Sequence, residues 1–387
     1  MVSRADRSQL SEWWWTVDKV ILGGALVLML VGIVLSFAGS PAVAERLGYD
    51  SFHFVTRHIA FAVPALVVMI ATSFLAPQNA RRAALIVLAV MLAMMFVTLF
   101  IGVDVKGARR WINFGELSIQ PSEFMKPAFV VTVAWLFAEN RRRKDIHGDI
   151  FAVILLFMVI ALLITEPDFG QTMLSVVSWS AVFFMAGMSW LWIVGILAVG
   201  LSGIVAADRL LPHVAARIDK FVSPASGDTF QVDKALDSIL HGGWFGVGPG
   251  EGMVKRVLPD AHTDFIFAVG AEEFGIICCL LLVAVFALIV FRGMSRSARS
   301  EDPFIRLATA GLVVLFGVQS CINIAVNLNL IPAKGMTLPF ISYGGSSMIA
   351  MGFEIGLLLA FTRRRAEPSR LAPRLGFRPA PAGADIG

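Results

Sequence analysis

Residues Phe274 to Phe291 read FGIICCLLLVAVFALIVF, eighteen positions without a charged side chain. An uncharged block of this length matches a hydrocarbon core roughly 30 Å thick and reads as a membrane span, not as the core helix of a soluble domain. The same texture recurs on both sides of it. Apolar runs centre on residues 20–39, 57–76, 82–103, 121–139, 149–165, 170–187, 190–207, 264–292, 304–327 and 341–362. They predict an all-α polytopic membrane protein of about ten spans. The whole chain agrees: 57% of its 387 residues are hydrophobic and 16% are charged, with mean hydropathy +0.77. A soluble domain carries about 25% charged residues, so a water-soluble enzyme is excluded.

Net charge is +4 and pI is near 9.1, but the basic residues sit in short clusters at the ends of apolar runs, which excludes nucleic-acid binding. Loops after even-numbered runs carry Arg81, Arg82, Arg141, Arg142, Arg143, Lys144, Arg292, Arg296, Arg299 and Arg306. Those after odd-numbered runs carry Arg46, Arg57, Lys106, Arg109, Arg110 and Lys334, and the tail adds six arginines to the first side. The positive-inside rule then predicts that both termini are cytoplasmic. Residues 1–19 form a cytoplasmic segment, 20–365 the ten-helix domain, and 366–387, rich in Pro, Ala, Gly and Arg, a disordered tail. Arg4, Arg7 and Ala42-Val43-Ala44 imitate a signal peptide, yet the run from Val20 to Phe37 is longer than a usual h-region. It is expected to stay as the first span. Cys278, Cys279 and Cys321 all lie in apolar runs and imply no disulfide framework or metal cluster.

One connection is long. Residues 208–263, with six glycines between Gly242 and Gly252, are expected to form a large extracytoplasmic loop between helices seven and eight. Its Phe221, Phe230, Leu236, Ile239, Leu240, Trp244 and Phe245 give it enough apolar surface to dock on the membrane face. No convincing internal repeat is present.

Ionisable residues at membrane helices are costly and mark functional candidates. Glu123 and Lys126, in Gln120-Pro121-Ser122-Glu123-Phe124-Met125-Lys126, are three apart and share a helix face, which also suits a structural ion pair. Lys255, Arg256, Asp260, His262, Thr263 and Asp264 crowd the end of the long loop, where Thr263 or Asp264 also suits a helix cap. Asp168, in Glu166-Pro167-Asp168-Phe169-Gly170-Gln171, suits a turn or a cap. Residues 332–347 bring Lys334 and Ser342, with small residues suited to helix packing. With Arg57 and Arg110, these groups outline a polar cavity at the outer helix ends.

The motifs QPSEFMK, EPDFGQT, LPDAHTDFIFAVGAEEFG and PAKGMTLPFISYGGSS resemble those of the SEDS family, named for shape, elongation, division and sporulation. The resemblance covers residues 10–365, and Lys334-Gly335 with Ala261-His262 looks like its division branch. Asp260 and Ala333 depart from the commoner glutamate and threonine of the family. The resemblance implies a peptidoglycan glycosyltransferase that polymerises lipid II on the outer face of the cytoplasmic membrane at the division septum. It places the catalytic acidic residue at Asp264, and Gln120, Ser122, Glu123 and Lys126 on the cavity wall. The usual partner is a class B penicillin-binding protein, a single-span transpeptidase, alongside other divisome membrane proteins.

The transfer needs one general base, Asp264, and positive charge for a departing diphosphate. Candidate cations are Arg57, Arg110, Lys126, Lys255, Arg256 and Lys334. A divalent cation, Mg²⁺ or Mn²⁺, stays open because Mg²⁺ often needs only one or two carboxylates. Two rival readings are a lipid II flippase and a non-catalytic scaffold that activates a transpeptidase. A flippase wants charge through the membrane depth, where Glu272, Glu273 and Glu354 are the deeper exceptions. On a continuous helix at most one of Glu272 and Glu273 shares the face of Asp264, and both suit helix packing.

Overall fold

The structure, a computed structural model, describes residues 8–364 except 106–107, 116, 144, 146, 188–189, 211, 213–214, 216–229, 259 and 332–334. The tail 366–387 and Lys334 therefore lie outside the described residues. The helices are α1 (Gln9–Thr16), α2 (Lys19–Arg46), α3 (His53–Ser73), α4 (Pro77–Ile101), α5 (Pro121–Arg142), α6 (Gly148–Thr165), α7 (Phe169–Met185), α8 (Trp190–Leu210), α9 (Phe230–Gly242), α10 (Ile266–Ala298), α11 (Pro303–Asn327) and α12 (Gly345–Thr362). A helix stands at each apolar run of the sequence. Among the described residues seven of them, α2, α3, α4, α6, α10, α11 and α12, are long and apolar enough to cross a membrane. The chain is a multi-pass membrane protein.

Helix starts follow their capping residues. Asp18 accepts the N–H groups of Val20 and Ile21, Asp168 that of Gln171, and Asp302 those of Phe304 and Ile305. Proline opens α4, α5 and α11, where no N–H is needed. α12 is the central helix, with 89% of its apolar window buried, whereas α4 is peripheral at 22%. Gly352 and Gly356 let α12 press on the α3 backbone at Ala65 and Met69, the close approach that small residues permit.

The all-α expectation needs one addition. Strands β1 (Val103–Val105), β2 (Ala108–Phe114) and β3 (Leu117–Ile119) form an antiparallel sheet in the order β1-β2-β3. Phe114 pairs with Leu117, and the φ of +65° at Gly115 between them suits a hairpin. The sheet sits between α4 and α5 and carries Arg110.

The eighth run is not one continuous helix. At Gly275 (φ +79°, ψ 171°) α10 breaks, which frees backbone groups on both sides. The loop supplies their partners: Ile276 and Ile277 N–H donate to the carbonyls of Gly243 (2.9 Å) and Trp244 (3.3 Å). In return, Val247 and Gly248 N–H donate to the carbonyls of Glu272 (2.9 Å) and Glu273 (3.1 Å). Gly246, at φ +81°, lies directly on the Glu273 backbone. The described part of the long loop is thus threaded into the helix break, where the sequence suggested only docking on the membrane face.

Candidate active site

Asp264 lies in the turn just before α10, and the helix N-cap is Phe265, with no side-chain cap bond. Neither Thr263 nor Asp264 takes the capping role; the Thr263 hydroxyl donates to the Asp260 carbonyl at 3.1 Å. Because α10 starts at Ile266, the angles between Asp264 and the two glutamates expected on a continuous helix do not apply. Asp264 is half-buried. Its carbonyl accepts from the side-chain amides of Asn323 (3.0 Å) and Asn327 (2.9 Å) on α11. Its carboxylate faces Gly335, where a Cβ would stand 3.8 Å from Oδ2 and φ is +63°.

Beside it, the His262 carbonyl accepts Tyr343 N–H at 2.9 Å, and the His262 ring packs 4.3 Å from Phe54 and 5.5 Å from Tyr343. Burial raises the Tyr343 phenol, opposed by the charge and hydrogen bond of Arg57. Arg57, Tyr343 and His262 therefore form one patch beside Asp264. Ser342 is turned inward instead: its hydroxyl accepts Leu338 N–H at 2.8 Å and shapes the turn.

Glu123 and Lys126 are buried together, with Lys126 Nζ 2.9 Å from Glu123 Oε2. Lys126 also donates to Gln319 Oε1 at 3.0 Å, and Gln171 Nε2 donates to Glu123 Oε1 at 2.6 Å. The structural ion pair is thus the arrangement found, extended by Gln171, Gln319 and Ser347 into a network. Ser122 is fully buried next to it. Glu354 on α12 is fully buried and interacts electrostatically with both Lys126 and Glu123.

A second network starts at the sheet. Arg110 reaches Asp168 Oδ2 at 3.5 Å and donates to the Glu166 carbonyl at 3.2 Å, while Gln120 Nε2 donates to Asp168 at 3.2 Å. Burial raises the Asp168 carboxyl even against the Arg110 charge. Glu166 is pushed up to about 8 by burial and by Asp168, with Arg110 opposing.

Lys255 does not remain a cation for a ligand. It is 5% exposed, paired with Glu273, and donates to the Ala38 carbonyl at 3.1 Å. Glu272, read from sequence as a packing residue, accepts three backbone N–H groups, those of Met253, Val254 and Lys255, at 2.8–2.9 Å. Both glutamates thus anchor the loop. Sequence reasoning missed Gln319, Asn323 and Asn327; their signal was a polar residue every four positions in an apolar helix. Among the described residues no group of three or more His, Cys, Asp or Glu side chains is placed to hold a metal.

A family model for FtsW, RodA and SpoVE, described as cell cycle protein, matches residues 18–367. The "Probable peptidoglycan glycosyltransferase FtsW" of Caulobacter vibrioides is 48% identical over 376 residues, covering 97% of this chain and 96% of that one. Its namesake from Alkalilimnicola ehrlichii is 34% identical over 360 residues, covering 89% of each. A chain in a peptidoglycan synthase complex that coordinates polymerization and crosslinking has the same fold, with TM-score 0.75 at 24% identity over 90% of this chain and 98% of that one. The rod shape determining protein RodA of Thermus thermophilus gives 0.69 at 23% identity, over 91% and 99%. With its model match over nearly the whole length and full-length relatives, the chain belongs to the FtsW, RodA and SpoVE family, the SEDS proteins.

Proposed function

We propose that this chain is a peptidoglycan glycosyltransferase of the division type, which joins lipid II into glycan strands with Asp264 as general base. The observation that supports it most is the seat of Asp264: half-buried, with its backbone held by two buried amides, at the end of the bundle where both polar networks lie. A sugar hydroxyl of one lipid II attacks the anomeric carbon of another. The new C–O bond forms with inversion, the bond to the diphosphate breaks, and undecaprenyl diphosphate leaves with the electron pair. The hydroxyl proton passes to the Asp264 carboxylate, a role that contributes typically about 10² to 10⁴-fold. Diphosphate is a good leaving group and needs no acid partner. Arg57 and Arg110 are the cations assigned to this task, together with Lys334, which lies outside the described residues. A divalent cation that enters with the diphosphate is compatible with the site and is not used in these steps.

On this reading the end bearing Asp264 faces outward and both termini are cytoplasmic. The partner is a single-span class B transpeptidase at the septum, with other divisome membrane proteins around the pair. The test supplies labelled lipid II to the chain with that transpeptidase and compares native protein with Asp264→Asn at equal folded yield. Glycan polymer from the native chain and none from the variant is the expected result. Polymer from both removes Asp264 from the mechanism, and polymer from neither favours a lipid II flippase or a scaffold.

A further inference from the structure

We propose that Asn327 is a positioning residue for Asp264, and that the amide stripe Gln319, Asn323 and Asn327 holds the base and the buried ion pair in register; this rests on the glycosyltransferase reading. The three side chains recur every four residues along one face of α11, and none is more than 1% exposed. A buried amide is costly unless bonded. Here most of the bonds leave the helix.

Asn327 Nδ2 donates to the Asp264 carbonyl at 2.9 Å, while its Oδ1 accepts Ala268 N–H at 3.1 Å. Asn323 Nδ2 is shared between the carbonyls of Asp264 (3.0 Å) and Met336 (2.6 Å). Gln319 Nε2 donates to the Thr337 carbonyl at 3.1 Å, and its Oε1 accepts from Lys126. One face of one helix thus grips the turn before α10, the first turn of α10, the 336–337 segment and the Lys126 ammonium.

Within the turn, Thr263 and Phe265 N–H donate to the Asp260 carbonyl at 3.0 and 3.4 Å, and the His262 carbonyl accepts Tyr343 N–H at 2.9 Å. The side chain of Asp264 leaves the backbone next to the carbonyl that α11 holds. Asn327 and Asn323 thereby contribute to its aim, and a displacement of about 1 Å at a reacting group costs on the order of 10²-fold in rate.

The test measures kcat and KM for lipid II on the full chain with its transpeptidase. Asn327→Asp keeps the acceptor for Ala268 and, when ionised, has no hydrogen for Asp264, and Asn327→Leu loses both. The expected result is a kcat lowered about tenfold or more in the folded fraction of both variants, with KM within about twofold. A native kcat in Asn327→Asp overturns the proposal, as does a loss confined to KM. Should Asn327→Asp not fold, Asn323→Asp, which removes the other donor to Asp264, is read by the same criterion. Asp264→Asn is run alongside. If it polymerises at the native rate, the base assignment has failed; if it is inactive while the Asn327 variant is native, only the positioning role has.

Discussion

Arg296 Nε donates to Asp18 Oδ2 at 2.6 Å, and Arg292 Nε lies 3.0 Å from the same oxygen. This clasp ties the start of α2 to α10 at the end of the bundle remote from Asp264. The Asp18 side chain has no exposed surface. Burial alone raises its carboxyl, but the hydrogen bond and charge of Arg296, with Arg292, outweigh that and leave it below the ordinary value. A lowered carboxyl adds stability above its unfolded pKa, and the gain is lost as pH falls through the folded value. Asp18→Asn is expected to lose about 1–3 kcal/mol at pH 7. Thermal unfolding in detergent should show the gap to native closing toward pH 3; a gap that stays constant with pH contradicts the assignment.

Glu166 gives the opposite sign. Its folded value of about 8 lies above the ordinary 4.5, so the folded chain holds the proton more tightly and stability falls as pH rises between the two. Glu166→Gln is expected to match native protein near pH 4 and exceed it by about 1–3 kcal/mol at pH 9. Equal midpoints at both pH values would count against it.

The Lys255 and Glu273 pair joins the loop to α10. Breaking a buried pair from one side strands a charge at a cost of roughly 3–5 kcal/mol, while an apolar replacement of both partners is often neutral. Lys255→Met alone should therefore unfold well below native in a thermal scan, and Lys255→Met with Glu273→Leu should recover much of the loss. Recovery by the double variant is the diagnostic, since two independent defects would add.

Gly246 and Gly275 meet where the loop enters the helix break. Both have φ near +80°, and a Cβ on either would collide with backbone of the other segment. Gly275→Ala and Gly246→Ala are each expected to cost about 2–4 kcal/mol, through a strained φ and a displaced loop. Faster proteolysis near residues 240–250 in native membranes would report that displacement; an unchanged cleavage rate and midpoint would refute it.

The helix positions were legible because each apolar run is long and uncharged, and the helix starts at Pro121 and Asp168 because caps are local. The Glu123 and Lys126 face was legible from spacing alone. The rest depends on tertiary partners. Nothing within residues 255–273 says that Lys255 turns inward to Glu273 or that Glu272 binds loop amides, because those contacts depend on the break at Gly275. That glycine looks like any other in an apolar run until a second backbone supplies its missing partners. The small sheet had a signal in Arg110-Trp111-Ile112-Asn113-Phe114-Gly115, an alternating stretch with a turn glycine, but one too short to stand out beside helices. The amide stripe of α11 was visible as a pattern, yet its targets at Asp264 and Met336 were not.

The threaded break also bears on how this protein can be re-engineered. Segment 242–248 shares four backbone hydrogen bonds with residues 272–277, so the loop and the helix are one folding unit although separated in sequence. A graft that exchanged this loop alone for that of a relative would leave buried amides and carbonyls without partners, at about 1–3 kcal/mol each. Loop and broken helix have to be transplanted together. Cut points for chimaeras therefore belong outside both, before Phe230 and after Ala298.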